Sequence, residues 1–269
     1  MEMQKIRLDL LVAERGLAED RSLAQRLIIA GQIRVDGQVV IEPSRKVSPD
    51  ASIAVDLGPR YVSRGGEKLE AALHAFHLDS LGGIVCADVG ASTGGFTDCL
   101  LQHGAGKVYA IDVGYGILHW KLRNDPRVEV MERTNARYVD RLQEPVGLVT
   151  IDASFISLRV LLPVVRGWFG DEGGQVVALI KPQFEAGREE VSRGEGVIQD
   201  SHIHRQVLVD ILSFSLEQGF SIQGLVRSPL KGPKGNTEFL VHLRYPRVSD
   251  HETFDPDELE RLVSPVNES

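Results

Sequence analysis

The feature that most constrains the fold of this chain is the alternation of apolar and amphipathic segments between residues 83 and 218. Strands are predicted at 84–88, 107–111, 127–130, 146–151 and 175–180, and helices near 95–103, 116–122, 157–169 and 201–218. Elements that alternate in this way form a parallel sheet with helices on both faces. Two more apolar segments, 220–226 and 239–243, have no helix between them, which predicts an antiparallel last strand. The fold class is therefore α/β, with a doubly wound, Rossmann-like sheet.

The first 60 residues have a different pattern. Leucine, isoleucine and valine at helical spacing predict a pair of short helices, and Ile33–Val39 predicts a strand that enters an Asp-Gly turn. A small α+β domain is thus expected ahead of the sheet. The predicted division of the chain is a small domain at 1–59, a linker and the start of the sheet domain at 60–82, the main sheet domain at 83–246 and an acidic tail at 247–269.

The composition is that of an ordinary soluble protein, with 42% apolar and 25% charged residues. No apolar segment approaches the roughly 18 residues that span a bilayer, and the first residues lack the apolar core of a signal peptide. A cytoplasmic protein that does not contact membranes is expected. The net charge of −8 disfavours nucleic acid, but residues 247–269 hold seven acids against two arginines. Such a tail is usually solvated, so the charge of the remaining surface is close to neutral.

A glycine-rich loop, Asp88 to Phe96, follows the first strand of the predicted sheet and precedes a helix. Glycines here let the backbone approach a ligand, and ligands of open α/β sheets bind beyond the carboxyl ends of the strands. The loop lacks the Gly-Lys-Ser/Thr of a Walker A motif, and Ser92 replaces the second glycine of the dinucleotide fingerprint. The Asp88 carboxylate suits a cofactor with ammonium and sulfonium charge, and Asp112, which ends the second strand, is placed to hold ribose hydroxyls.

Three charged residues lie at predicted strand ends on one edge of the sheet. Asp152 follows the fourth strand, Lys181 follows the fifth, and Glu238 begins the antiparallel last strand. Because the carboxyl ends of parallel strands share an edge, these side chains are expected to face the cofactor cleft. No metal site is predicted, because no His/Cys cluster is present and the two cysteines, Cys86 and Cys99, lack metal-ligand spacing.

Several separated segments together resemble one family. Tyr61 to Leu69, Asp88 to Asp98, Lys181 to Glu185 and Asn236 to Glu238 are similar to the TlyA family of RNA methyltransferases, within the FtsJ-like 2′-O-methyltransferases. The resemblance extends to about Tyr245. It implies a class I methyltransferase sheet that uses S-adenosylmethionine, preceded by an RNA-binding domain of the S4 type. It also implies a ribosomal RNA cytidine as substrate, with ribosomal RNA or ribosomal subunits as partners.

The same resemblance implies a catalytic tetrad, which falls on Lys68, Asp152, Lys181 and Glu238. Transfer of a sulfonium methyl group to a ribose hydroxyl needs the hydroxyl held in line and its proton drawn away. Lys181 is expected to act as the base or as a cation that stabilises a developing alkoxide, with Asp152 orienting it. Lys68 positions the hydroxyl or supplies a second charge, and Glu238 orients Lys68 or the ribose.

The binding residues are expected in two groups. The predicted cofactor contacts are Asp88, Gly90, Ala91, Ser92, Gly94, Gly95, Phe96, Asp112 and Asn135. The predicted RNA contacts are Arg21, Arg26, Arg34 and Arg64, in a basic stripe with Arg45, Lys46 and Arg60. Residues 1–60 balance nine basic against nine acidic residues, so composition alone leaves a protein-docking domain open.

Three other functions are compatible with the sequence. A nicotinamide-dependent oxidoreductase shares the fold and the position of Asp112, but Ser92 disfavours it. A haemolysin or pore former is a label that members of this family sometimes carry, but the chain has no membrane-spanning or cationic amphipathic segment. A non-catalytic ribosome assembly factor is disfavoured by the complete tetrad.

Overall fold

The computed structural model of the protein describes residues 5–56, 58–187 and 196–246, with positions 259, 261–264 and 266. Contacts between residues divide the chain into two compact units, Met1–Arg60 and Tyr61–Ser269. The seven acids of the predicted tail all lie outside the described residues.

The described residues of the first unit form two helices and short strands. The elements are β1 Ile6–Arg7, α1 Leu8–Glu14, α2 Arg21–Ile29, β2 Ile33–Val35, β3 Gln38–Val39, β4 Lys46–Val47 and β5 Ile53–Val55. β2 lies between β3 and β5 in an antiparallel sheet, and β1 pairs with β4. The turn between β2 and β3 places Asp36 and Gly37 at φ angles of 50° and 81°, as a type I′ hairpin turn requires.

The second unit contains a seven-stranded sheet with helices on both faces. Its elements are α3 Gly65–Ala75, β6 Val85–Val89, α4 Gly95–Gln102, β7 Lys107–Ile111, α5 Trp120–Arg123, β8 Val128–Met131, β9 Leu148–Ile151, α6 Leu158–Arg166, β10 Gly174–Ile180, α7 Pro182–Glu185, α8 Ser201–Glu217, β11 Ser221–Arg227 and β12 Phe239–Tyr245. The strand order is β11-β12-β10-β9-β6-β7-β8, and β12 runs antiparallel to both of its neighbours. The predicted doubly wound sheet with an antiparallel last strand is confirmed.

Alternate residues of the central strands face two separate apolar cores. On β10, Val177 and Leu179 join the core formed with α3 and α4, whereas Val176 and Ala178 join the core formed with α6 and α8. All four side chains are buried. A strand segment that is covered on both faces needs apolar residues at every position, which explains the continuous apolar sequence of residues 176–180 in β10.

Three expectations about helices and ends differ from the structure. The helices predicted near 116–122 and 157–169 are shorter, Trp120–Arg123 and Leu158–Arg166, because a loop precedes the first and Gly167 caps the second. The region 60–82, expected to be partly linker, holds α3. Leu259 and Val263, in the predicted acidic tail, are 8% and 0% exposed and join the core beside α6 and α8. This part of the tail is therefore packed rather than solvated. None of the described helices is long and apolar enough to cross a bilayer.

Candidate active site

A cavity of about 810 Å³ lies at the carboxyl ends of the parallel strands. Its walls come from the start of α3, the loop after β6, the residues that follow β9 and β10, and the connection between β11 and β12. All of these lining residues belong to the second unit. The volume is within the range of about 300 to 1,000 Å³ that is typical of small-ligand pockets.

The glycine-rich loop after β6 forms one wall of the cavity. Gly90 has a φ of 84°, and a Cβ at this position would lie 2.7 Å from the carbonyl oxygen of Asp152. Ser92 has a φ of 51°, and its backbone N–H donates to the Asp112 carboxylate at 2.8 Å. The loop is thus held between the ends of β9 and β7, with residues 90–93 lining the cavity.

Five of the nine predicted cofactor contacts line the cavity, namely Gly90, Ala91, Ser92, Gly95 and Phe96. Gly94 is not among the lining residues, and its requirement for glycine has a different cause from the one predicted. Its φ is 101°, and a Cβ would lie 2.2 Å from Cδ1 of Leu122 and 2.9 Å from Cδ1 of Leu118. The protein's own apolar core, rather than a ligand, fills the space beside Gly94.

Asp88 lies beneath the glycine loop and outside the cavity walls. Its carboxylate is fully buried and accepts hydrogen bonds from the hydroxyls of Thr97, at 2.6 Å, and Thr150, at 3.2 Å. Burial raises the pKa of Asp88 to about 7. The side chain is directed into the protein, where it supports the junction between strand and loop, and its contact with a cationic ligand stays a prediction.

Asp112 and Asn135 lie beside the loop, after β7 and β8. The Asp112 carboxylate is half-buried and accepts from the N–H groups of Ser92, at 2.8 Å, and Gly114, at 2.7 Å. The Asn135 side chain accepts from the N–H of Arg137 at 3.2 Å and caps a short 3₁₀ turn. Because an ionised carboxylate has about four lone-pair sites, Asp112 retains acceptor capacity for a ligand.

Lys68 and Glu238 form a buried ion pair on the cavity wall. The Lys68 Nζ lies 2.6 Å from Oε2 of Glu238, and the side chains are 11% and 0% exposed. Lys68 is carried by α3, while Glu238 directly precedes β12. The second oxygen of the carboxylate, Oε1, has no hydrogen-bond partner in the described part of the chain.

Asp152 and Lys181 form a second pair. The Lys181 Nζ lies 2.5 Å from Oδ1 of Asp152, 3.5 Å from the Asp152 carbonyl oxygen and 3.3 Å from the Ser154 hydroxyl. These residues meet because β9 and β10 are adjacent and parallel. All four residues of the predicted tetrad therefore line one cavity, as two lysine–carboxylate pairs.

The cavity also contains residues that sequence reasoning missed. Phe155 is 90% exposed, has a φ of 63°, and its ring lies 4.9 Å from that of Phe184. Lys231 and Lys234 lie on the cavity wall in the connection between β11 and β12, for which the sequence pattern predicted no function. Two lysines in a Gly/Pro-rich turn next to a candidate catalytic glutamate were the signal that could have identified them.

The predicted RNA-binding arginines are in different environments. Arg21 is bound to the buried carboxylate of Asp9 at 3.0 Å, and Arg34 is paired with Asp56 at 3.0 Å. Arg26 is exposed. Arg64 is also exposed and lines the cavity of the second unit. Acids of the first unit thus partly neutralise two members of the predicted basic stripe.

Comparison with known proteins identifies relatives for both units. Residues 61–245 match the FtsJ-like methyltransferase family, and residues 6–53 match the S4 domain. YqxC of Bacillus subtilis is 46% identical over 274 residues, which cover 100% of this chain and 96% of that protein. The 16S/23S rRNA (cytidine-2′-O)-methyltransferase TlyA of Mycobacterium tuberculosis is 45% identical over 195 residues, 72% of each chain.

A solved structure from Streptococcus thermophilus, provisionally described as a hemolysin, superposes on this chain with a TM-score of 0.71 at 42% identity. It covers 99% of this chain, and this chain covers 97% of it. The two-unit architecture is therefore shared with a protein that carries a different functional label.

Proposed function

The chain belongs to the FtsJ-like methyltransferase family, and we propose that it methylates a ribose 2′-hydroxyl of ribosomal RNA with S-adenosylmethionine as the methyl donor. Membership of this family was predicted from the sequence, and it removes the oxidoreductase alternative. Because the Mycobacterium tuberculosis relative is named for cytidine 2′-O-methylation, cytidine is the nucleotide that we propose. The observation that carries the proposal is the pair of lysine–carboxylate contacts in the cavity lined by the glycine loop.

The residues around the glycine loop fit S-adenosylmethionine. Gly90 lies against the backbone of Asp152, so the loop presents main-chain groups rather than side chains at this point of the cavity. Asp112, beside the loop, keeps lone pairs that suit ribose hydroxyls. When bound, the cofactor supplies a methyl group that its sulfonium centre has already activated.

We propose that Lys181 accepts the proton of the 2′-hydroxyl. The Lys181 ammonium first releases a proton to solvent, and the neutral amine then takes the hydroxyl proton while the ribose oxygen acts as the nucleophile, so the lysine ends as an ammonium. The Asp152 carboxylate at 2.5 Å stabilises that ammonium, and contact with the Ser154 hydroxyl at 3.3 Å helps to fix the position of Nζ. A positioned proton-transfer group of this kind contributes about 10²- to 10⁴-fold in rate.

Lys68 is proposed to hold the reacting ribose. An ammonium has three N–H donors, and Glu238 accepts only one of them in the contact at 2.6 Å. The remaining donors can bind the ribose oxygens. Glu238, which is fully buried, acts through Lys68 as a positioning residue.

Phe155 supports a substrate that contains an unstacked base. It is an exposed aromatic ring on the cavity wall, three residues after Asp152, with a left-handed backbone that is uncommon for a bulky residue. Proteins that recognise RNA at unpaired positions commonly stack bases on such rings. The RNA-binding S4 domain at residues 6–53 supplies contacts of its own, and we propose ribosomal RNA or ribosomal subunits as its partner.

The proposed function is tested by incubating the purified protein with radiolabelled S-adenosylmethionine and ribosomal subunits from cells that lack the enzyme. The expected result is label at a single cytidine whose 3′-phosphodiester resists alkaline cleavage, as a 2′-O-methyl group requires. Label on a base, or no label from a protein shown to be folded, would contradict the proposal. The second outcome would favour an assembly factor without catalysis.

A further inference from the structure

Residues 229–236, within the connection between β11 and β12, carry two lysines on the cavity wall. We call these residues the lysine turn. Lys231 and Lys234 are both exposed and both line the cavity. Neither belongs to the tetrad or to the predicted RNA contacts. The turn is therefore a candidate for a further binding element beside the reacting groups.

The lysine turn is fixed in place by hydrogen bonds at both ends. The N–H of Ser228 donates to the Glu238 carbonyl at 2.9 Å, and the N–H of Gly232 donates to the Asn236 carbonyl at 2.9 Å. The Asn236 side chain donates to the carbonyl of Gly196 at 3.0 Å and accepts from the N–H of Ile198 at 3.0 Å. The position of the two lysines is thus set by the fold.

The turn lies directly against the catalytic pairs. A Cβ on Gly232 would be 2.0 Å from Oε1 of Glu238, so the backbone between the two lysines contacts the carboxylate that holds Lys68. Lys234 has a φ of 60°, a left-handed conformation that costs a non-glycine residue energy. Its Nζ lies 3.8 Å from the position of a Cβ built on Gly196, another cavity residue.

Among the described residues that line the cavity, three cations have no carboxylate partner within the described part of the chain. Five of its lining residues are basic and two are acidic. Each of the two acids, Asp152 and Glu238, is paired with a tetrad lysine. Arg64, Lys231 and Lys234 form no ion pair with any residue that the structure describes. The described lining residues thus carry more positive than negative charge, in a chain whose net charge is −8.

The chemistry of the substrate requires an anion at this place. The 2′-carbon of a ribose is bonded to the 3′-carbon, which carries a phosphodiester, so a phosphate enters the cavity with the reacting hydroxyl. Lysine binds phosphate as a point charge and tolerates varied geometry. We propose that Lys231 and Lys234 bind the phosphodiesters on either side of the target nucleotide, and this proposal rests on RNA being the substrate.

The test compares Lys231→Ala, Lys234→Ala and the double variant of the full-length protein with Arg141→Ala. Arg141 is also exposed in the second unit but does not line the cavity, so the control removes the same charge elsewhere. The KM for RNA should rise about 10-fold for each lysine, the effect of losing one charge-assisted hydrogen bond, with kcat at saturating RNA preserved. The slope of log KM against log salt should fall by about 0.7 per lysine, and Lys→Arg variants should restore both.

Binding of a short single-stranded RNA, followed by fluorescence anisotropy, separates this proposal from the proposed function. Weaker RNA binding by the lysine variants supports the phosphate contacts even if the wild-type protein methylates no RNA. The proposed phosphate contacts are overturned if the wild-type protein methylates RNA while the lysine variants match Arg141→Ala in KM and in salt slope. The contacts are also overturned if the lysine variants keep the KM for RNA but bind S-adenosylmethionine more weakly. That result would place the lysines at the carboxylate of the cofactor.

Discussion

The Lys68 ammonium lies 2.6 Å from the Glu238 carboxylate, although 170 positions separate the two residues in the chain. One residue comes from the first helix of the second unit and the other from the start of its last strand. Closure of the sheet domain therefore assembles half of the tetrad. The Glu238 side chain is 0% exposed, so removal of its partner would leave a buried carboxylate unpaired.

Removal of Lys68 should destabilise the protein as well as inactivate it. Lys68→Ala leaves a buried carboxylate unpaired, which typically costs about 3 to 5 kcal/mol in the free energy of unfolding. Lys68→Met combined with Glu238→Gln should recover most of that loss without recovering activity, since both charges are then absent. Urea unfolding of Lys68→Met, Glu238→Gln and the double variant measures the coupling between the two residues. Equal stability of Lys68→Ala and the wild type would contradict the pairing.

Changes to the Asp152–Lys181 pair should lower the rate of methyl transfer rather than the stability of the fold. Lys181→Ala and Asp152→Asn are expected to lower kcat by about 10²- to 10⁴-fold, because the proton acceptor or its stabilising charge is lost. Calorimetry should show little change in S-adenosylmethionine affinity. Lys107→Ala is the matched control, since Lys107 contacts Glu144 at 2.9 Å outside the cavity. Full activity in a folded Lys181→Ala protein would refute the proposed role.

Gly90 should be far less tolerant of a side chain than another glycine with a similar backbone. Gly90→Ala places a Cβ 2.7 Å from the Asp152 carbonyl, whereas Gly104, with a φ of 91°, has open space around it. Both changes incur the left-handed penalty of about 1 to 2 kcal/mol. Only Gly90→Ala should also displace the loop and abolish cofactor binding, measured by calorimetry. Similar binding by the two variants would mean that the loop does not hold the cofactor.

The sheet could be predicted because strands buried on both faces have an unmistakable apolar pattern, and the strand ends then located Asp152, Lys181 and Glu238. α3 was missed because it begins with Gly65 and Gly66, which disfavour helices by intrinsic propensity. The reason for Gly66 is tertiary: a Cβ there would lie 2.3 Å from the ring of Tyr61. No sequence pattern near residue 66 contains that contact.

The surroundings of Asp88 and Gly94 could not be predicted for a similar reason. A motif locates a residue along the chain, but it does not state which side of the loop the residue faces. Asp88 faces two threonines, and Gly94 faces Leu118 and Leu122. The sequence thus located the loop along the chain, while the packing of α4 and α5 was needed to tell which of its residues face the core.

Asp88 should make stability depend on pH in an unusual direction. Its pKa is about 7 in the folded protein against 3.8 for the reference carboxyl, so between these values the unfolded chain releases a proton that the folded chain retains. The stabilising contribution of Asp88 to the free energy of unfolding is therefore present below about pH 4 and is lost as pH rises through 7. Since one pKa unit corresponds to about 1.4 kcal/mol, the effect should amount to a few kcal/mol. The wild type should lose stability relative to Asp88→Asn between pH 4 and 7, and parallel curves from denaturant unfolding would contradict this assignment.

The N-terminal arginines should separate RNA binding from folding. Arg26 is exposed, so Arg26→Ala should leave the free energy of unfolding within about 0.5 kcal/mol of the wild type. It should nevertheless weaken RNA binding and flatten its salt dependence, because one phosphate contact is lost.

Arg21 differs from Arg26, since it holds the fully buried Asp9 together with Arg7 and Gln25. Arg21→Ala should therefore also lower stability, by about 1 to 3 kcal/mol. Thermal unfolding and anisotropy of labelled RNA measure the two effects on the same samples. If Arg26→Ala binds RNA as tightly and with the same salt slope as the wild type, this helix does not contact RNA, and the N-terminal unit must bind through another surface.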